Sequence, residues 1–235
     1  MTNPTQKTAL ITGASRGIGA AVARGMATRN CNVVINYRSK APRAQKVAQE
    51  VESLGRKALL AQADITSKKE MTAMMASVMD AFGKIDLLIL NASGGLEKNK
   101  PGDYAMTLNR DAQVQAVDLA LPLMPEGSRI VFVTSHWAHF YGEKPVYEDY
   151  EVVASSKKAG ETALRERIPK LKAKDIDLVI VSGDLIEGTI TPKLLERTAP
   201  GLIETRREQA GALPNVEEFA AAIVASAFDK SLESG

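Results

Sequence analysis

A doubly wound α/β fold, a parallel sheet with helices on both faces, is what this sequence predicts, and three observations carry the prediction. Short apolar runs alternate with longer amphipathic segments along nearly the whole chain, the pattern of strands joined by crossover helices. The first apolar run, Ala9-Leu10-Ile11, ends in a glycine-rich turn, Thr12-Gly13-Ala14-Ser15-Arg16-Gly17-Ile18-Gly19, which opens a helix-like segment. The chain has 235 residues, of which 45% are hydrophobic and 25% charged, which suits one domain over residues 1–235.

The elements follow in order from their residues. Apolar runs at 8–12, 32–36, 58–61, 86–90, 129–134 and 178–181 predict strands. Segments 17–29, 41–54, 68–82, 104–124 (in one piece or two), 150–172 and 216–228 predict helices. Right-handed crossovers place these helices on both faces and put a binding crevice at the carboxyl ends of the strands. There is no internal repeat or low-complexity tract.

Composition narrows the partners. With 30 basic and 28 acidic residues the net charge is +2, so no global field recruits nucleic acid or a membrane surface. Cys31 is the single cysteine, so no intrachain disulfide forms. Residues 1–8 are polar and do not resemble a signal peptide, and no apolar run approaches the roughly 20 residues that cross a bilayer. A cytoplasmic location is expected.

The glycine turn reads as a phosphate site. Glycines let the backbone turn sharply and approach a ligand, while the following helix aims unpaired N–H groups and its positive dipole end at an anion. Gly13, Ser15, Arg16, Gly17, Ile18 and Gly19 are the residues concerned, spaced G-x-x-x-G-x-G instead of the general G-x-G-x-x-G. After the second strand a dinucleotide site usually carries an acid for the adenosine ribose, roughly 20 positions past the glycines. This chain has Asn36-Tyr37-Arg38-Ser39 instead. Without a carboxylate to repel it, and with Arg38 and Arg16 to bind it, a 2′-phosphate is well received, which favours NADP(H) over NAD(H).

These motifs, with Asp64-Ile65 after the third strand, Asn91-Ala92 after the fourth, Asn109 in the next helix and Ser135 after the fifth, resemble the short-chain dehydrogenase/reductase family over nearly the whole chain. The segment Val33-Val34-Ile35-Asn36-Tyr37-Arg38 is similar to NADP-preferring members of the 3-oxoacyl-carrier-protein reductase type. The resemblance implies that Tyr37, Arg38 and Ser39 meet the adenosine end, that Asp64 and Ile65 contact the adenine, and that Asn91 supports the cofactor ribose. It implies that Asn109 holds a water in a proton relay, that Ser135 positions the substrate carbonyl, and that a lysine binds the ribose and lowers the pKa of a proton-donating tyrosine. Hydride transfer to a ketone leaves negative charge on oxygen, so an oriented donor and a tuned acid are the groups the chemistry needs. The reading calls for no metal.

The family's Tyr-x-x-x-Lys is not intact. The chain reads Tyr147-Glu148-Asp149-Tyr150-Glu151-Val152-Val153-Ala154-Ser155-Ser156-Lys157-Lys158-Ala159-Gly160, and neither lysine has a tyrosine four positions earlier. Ser156-Lys157 favours Lys157 as the family's lysine, and Ala159-Gly160 favours Lys158. Tyr150 lies two helical turns before Lys157, and Tyr147 keeps the family's usual interval after Ser135. Tyr150 with Lys157 is the preferred pair, with Tyr147 the close rival. His136 beside Ser135 fits a pocket wall better than a hydrolase dyad, because adjacent residues rarely reach nucleophile-base geometry.

Two further departures concern the substrate side. The family's Pro-Gly after the sixth strand is replaced by Ser182-Gly183-Asp184-Leu185-Ile186-Glu187-Gly188-Thr189, in which Ile186 and Thr189 would meet the nicotinamide carboxamide and Asp184 is unexpected. Residues 185–214, punctuated by Pro192, Pro200, Gly201, Gly211 and Pro214, predict a substrate lid. After the last helix the family has one more strand, for which this sequence offers no segment. The expected function is NADP(H)-dependent hydride transfer to or from a small carbonyl or alcohol substrate, in a homodimer or homotetramer assembled through the helices at Asn109 and Lys157. The alternatives are a catalytically degenerate NADP(H) sensor or scaffold, and dehydration or epimerisation on the same fold.

Overall fold

The computed structural model describes residues 6–97 and 99–235. Six strands, β1 (Thr8–Ile11), β2 (Asn32–Tyr37), β3 (Ala58–Gln62), β4 (Leu87–Leu90), β5 (Arg129–Ser135) and β6 (Asp177–Gly183), form one sheet in the order β3-β2-β1-β4-β5-β6. Every pairing in it is parallel. The six strands fall where the apolar runs predict them, with β6 longer at both ends. No strand follows the last helix among the described residues. Instead Gly235 N donates to Leu178 O at 3.0 Å, and Leu178 N donates to Ser234 Oγ at 3.2 Å, so the end of the chain touches the outer edge of β6.

The helices are α1 (Gly17–Thr28), α2 (Ala41–Ser53), α3 (Lys68–Phe82), α4 (Tyr104–Met106), α5 (Ala112–Ala120), α6 (His136–His139), α7 (Glu151–Arg165), α8 (Ile168–Lys172), α9 (Ile190–Thr198), α10 (Leu202–Ala210) and α11 (Val216–Phe228). The predicted helix over 104–124 is one path of changing pitch: α4 runs through a π-turn at Thr107–Asp111 into α5 and ends in a 3-10 turn at Leu121–Leu123. The predicted helix over 150–172 breaks after Arg165, and α8 restarts with Pro169 in its first turn, where a missing N–H costs nothing. Sharp boundaries have visible causes. Ser67 caps α3 and Gly83, at φ +74°, ends it, while Asn215 and Glu218 form a capping box on α11.

Alternate strand residues feed two cores. Ala9, Ile11, Val33, Ile35, Val131 and Val133 pack under α1, α2 and α11, whereas Leu10, Val34, Leu88, Leu90, Ile130 and Phe132 pack under α3, α5 and α7. A third, smaller cluster gathers Ala138, Tyr150, Val153 and Ala154 with Leu185, Leu195, Leu202 and Leu213 from the segment after β6. That segment therefore packs its leucines against α6, the Tyr150 turn and the start of α7. Arg129, at 1% exposure, ties β5 to the end of α11: its guanidinium donates to Ser226 O and Asp229 O and pairs with Asp177 Oδ2 at 2.8 Å. The sheet's strand order reverses between β1 and β4, which opens the crevice in which the site lies.

Candidate active site

The glycine turn is held in shape by polar residues at three strand ends. Asn36 at the end of β2 accepts from Gly13 N with its side chain at 3.2 Å and donates to Ala61 O and Ala63 O. Thr12 Oγ1 accepts from Asn91 N and Ala92 N, both at 3.0 Å, and Asn91 Nδ2 donates back to Thr12 O at 2.9 Å. The Asn91 side chain is thus occupied in fastening the turn to β4. Gly13 and Gly17 take φ of +66° and +53°. At Gly19 a Cβ would lie 2.5 Å from Gly13 O and 2.6 Å from Asn91 Nδ2, so only glycine closes this turn. Arg16 precedes α1 without capping it and no acid stands in its first turn, leaving the helix amides free for an anion.

This turn floors a cavity of about 580 Å³. Gly13, Ser15, Arg16, Gly17, Ile18, Gly19, Tyr37, Arg38, Ser39, Asp64, Ile65, Asn91 and Thr189 all line it. Its wall beyond β2 is more basic than the sequence reading assigns, since Lys40 and Arg43 at the start of α2 join Arg16 and Arg38, and Lys193 enters from α9. Tyr104 also lines it and its hydroxyl accepts from Arg38 Nη1 at 2.7 Å, which orients the guanidinium. Lys40 and Arg43 were legible as a basic start to α2; Tyr104, distant in sequence, was not. Asp64 faces inward on itself, accepting from Thr66 N and Thr66 Oγ1.

A second cavity of about 110 Å³ adjoins the first, sharing Ile18, Asn91, Ser93 and Thr189 with it. Ser135, Tyr150, Lys157 and Ile186 line this smaller space together. Tyr150 closes the 3-10 turn Glu148–Tyr150 that leads into α7, and its hydroxyl donates to Ser135 Oγ at 3.2 Å. Trp137 packs against its ring, with centroids 5.2 Å apart. Burial pushes the Tyr150 phenol up, partly offset by the bond to Ser135. Burial alone pulls the Lys157 ammonium down to about 8. Lys157 has no hydrogen-bond partner among the described residues and so keeps its donors for the cavity.

The rival residues stand elsewhere. Tyr147 is 37% exposed and packs against Trp137 with ring centroids 5.7 Å apart, lining neither cavity. Lys158 turns away to donate to His139 O at 2.5 Å. Asn109 lines neither cavity as well. It is buried in the π-turn, where its side chain bonds Gly94 N, Gly94 O and Ser156 Oγ. His136 does stand in the cavity wall.

After β6, Ile186 is buried against the core, and Thr189 Oγ1 donates to Ile186 O at 2.8 Å. Asp184 lines the smaller cavity and is paired with Arg206 of α10, a partner the sequence reading does not foresee. Burial opposes the Asp184 charge, but the nearby His136 ring and the hydrogen bonds from Arg206 and Leu185 N outweigh it and hold the carboxyl well below the usual carboxylate range.

Fold and site together define a dinucleotide-type crevice with a Ser-Tyr-Lys set at its inner end. Residues 7–198 match the short chain dehydrogenase family, and the chain belongs to it. It is 32% identical over 188 residues to the 1-cyclohexenylcarbonyl-CoA reductase of Streptomyces collinus, a match covering 77% of this chain and 65% of that protein. Hydroxynaphthalene reductase arp2 of Aspergillus fumigatus is 34% identical over 137 residues, 55% of this chain and 50% of that protein. The chain thus spans between half and two thirds of these curated relatives. A solved structure of a short chain dehydrogenase from Burkholderia cenocepacia J2315 in complex with NADP has a TM-score of 0.82 and 29% identity, covering 96% of this chain and 92% of that one.

Proposed function

We propose that this protein is an NADP(H)-dependent reductase that moves a hydride between the nicotinamide and the carbonyl carbon of a small molecule. The observation that carries the reading is the Tyr150 hydroxyl on Ser135 Oγ, 3.2 Å apart, in a small cavity that opens from a glycine-floored groove. The residues present fit the cofactor. The uncapped start of α1 suits a pyrophosphate, and Arg16, Arg38, Ser39, Lys40 and Arg43 suit a 2′-phosphate, with no acid directly after β2 to repel it. The Burkholderia relative, solved with NADP, supports the same choice.

When bound, NADPH supplies the hydride. The chain's own residues supply the rest: Ser135 orients the carbonyl oxygen, Tyr150 gives its proton to that oxygen as charge develops, and Lys157 meets the ribose side of the cavity. Burial shifts the Tyr150 phenol up, opposite to the lowering by a lysine that the family resemblance implies, so it holds its proton at neutral pH in the cofactor-free protein. Asn109 acts through main-chain support of the Gly94 loop. Residues 185–214 form the lid, whose leucines pack on Tyr150 and Val153. Assembly as a homodimer or homotetramer through the helices around 109 and 157, in the cytoplasm, belongs to the same proposal.

Cofactor choice is tested by fluorescence titration with NADPH and NADH. NADPH is expected to bind more tightly, and Arg38→Ala to lose about 1.5 to 3 kcal/mol of that preference, one to two decades of affinity. Equal affinities, or an Arg38→Ala protein with its preference intact, overturn the assignment.

A further inference from the structure

Asp184 is an obstacle to the reaction proposed above. On the β5–β6 ladder Ser135 pairs with Gly183, so Asp184 follows directly after the partner of Ser135, and both line the cavity of about 110 Å³. Hydride addition leaves negative charge on the oxygen held by Ser135 and Tyr150. A second negative charge in so small and poorly solvated a space raises the energy of that transition state. The side chain of Asp184 is 11% exposed, so bulk water does little to screen it.

Its charge is met from outside the cavity. Arg206 does not line that space, but it reaches over from α10 and grips the carboxylate with two nitrogens: Nε donates to Oδ1 at 2.9 Å and to Oδ2 at 3.0 Å, and Nη2 donates to Oδ2 at 2.6 Å. Leu185 N donates to Oδ1 at 2.8 Å, and His136 Nδ1 lies 3.6 Å from Oδ2. The other titratable groups facing the cavity are Tyr150 and Lys157. Arg207, next in sequence, binds Glu187 at 2.6 Å and 3.0 Å, a more exposed pair that lines neither cavity.

We propose that Arg206 is a positioning residue for hydride transfer that cancels the Asp184 charge in the cavity wall, so that the site is electrostatically complete only with lid helix α10 docked. The lid then does more than exclude water. It brings the counter-charge without which Asp184 opposes the developing alkoxide, while Arg207 only fastens the helix. This inference rests on the reductase reading.

The test is steady-state kinetics of the full chain with NADPH and three ketone probes, diacetyl, ethyl acetoacetate and trifluoroacetophenone, alongside NADPH affinity and melting temperature. Arg206→Gln should lower kcat by about tenfold or more, the reach of one unpaired buried charge, with NADPH affinity nearly unchanged. The double variant Asp184→Asn with Arg206→Gln should recover most of the loss, because the charge that needed cancelling is gone. An unchanged kcat in Arg206→Gln, or a double variant no better than the single one, overturns the inference and leaves the pair a clamp. An active wild type indifferent to Arg206 overturns this inference alone. A wild type that binds NADPH but reduces none of the three ketones overturns the reductase reading and the inference with it.

Discussion

Tyr150 and Lys157 show how a site survives a change of spacing. On a continuous helix seven residues amount to about 10 Å of rise, too far for two side chains to share one reacting oxygen. Here the helix begins only at Glu151, and the 3-10 turn before it leaves Tyr150 free to lean on Ser135 and Trp137 instead of following the helix axis. The broken Tyr-x-x-x-Lys was visible in the sequence, and so was the pair of residues competing for each role. The turn that separates Tyr150 from Tyr147 was not, because it depends on the packing of Trp137 and the leucines of residues 185–213.

Lys157 carries a pH signature of its own. In the folded protein its ammonium sits at about 8, against 10.5 for an unburied lysine. Between those values the unfolded chain binds more protons than the folded one, so stability rises as pH climbs from about 8 to about 10.5. Below about 8 the full cost of burying the charge is present. Denaturant unfolding of the cofactor-free protein across this window should show that rise, and Lys157→Met should flatten it. An equal slope in the variant would place the dependence on another group.

Among the elements, the turn between β1 and α1 is the least tolerant of change. The Cβ contacts at Gly19 fall on backbone and on an asparagine that is itself fastened to Thr12, so nothing nearby can give way cheaply. Gly19→Ala should therefore weaken NADPH binding by more than tenfold and destabilise the fold by about 1 to 3 kcal/mol, the usual cost of overpacking. Calorimetry and titration on the same sample check both, and a variant that binds NADPH normally would show that the turn relaxes. Gly160 plays a similar part where α7 crosses the π-turn, its Cα facing the Asn109 carbonyl.

The strands β1, β2 and β4 were legible because each is a short apolar run buried on both faces of a parallel sheet. Pitch was not. A π-turn at Thr107–Asp111 leaves the apolar spacing of α5 nearly intact, and it lies where α7 approaches closely at Gly160, a contact distant in sequence. The break before α8 was written in Pro169 and is read there only when the proline is given more weight than the charge pattern around it.

For the molecule as a whole, the site is a consequence of strand order. Because the strand order reverses between β1 and β4, the glycine turn, Asn91 and the residues after β5 and β6 open onto one crevice, which residues 188–193 at the start of α9 also line. The crevice and most of its lining were predictable from motifs at strand ends. The ion pairs of the segment after β6, Asp184 with Arg206 and Glu187 with Arg207, join residues about twenty positions apart with no periodic pattern, and only the folded chain brings them together. Everything proposed for this crevice turns on whether the Tyr150 hydroxyl is the proton donor. The direct measurement is a single turnover: protein saturated with NADPH is mixed with an activated ketone, and the loss of nicotinamide absorbance is followed for wild type, Tyr150→Phe and Tyr147→Phe. Wild type and Tyr147→Phe should oxidise NADPH at similar rates, with Tyr150→Phe slower by about two to four decades at unchanged NADPH affinity, the span expected when a general acid is removed. Equal rates in all three proteins, or the large loss in Tyr147→Phe instead, would show that the proton comes from elsewhere.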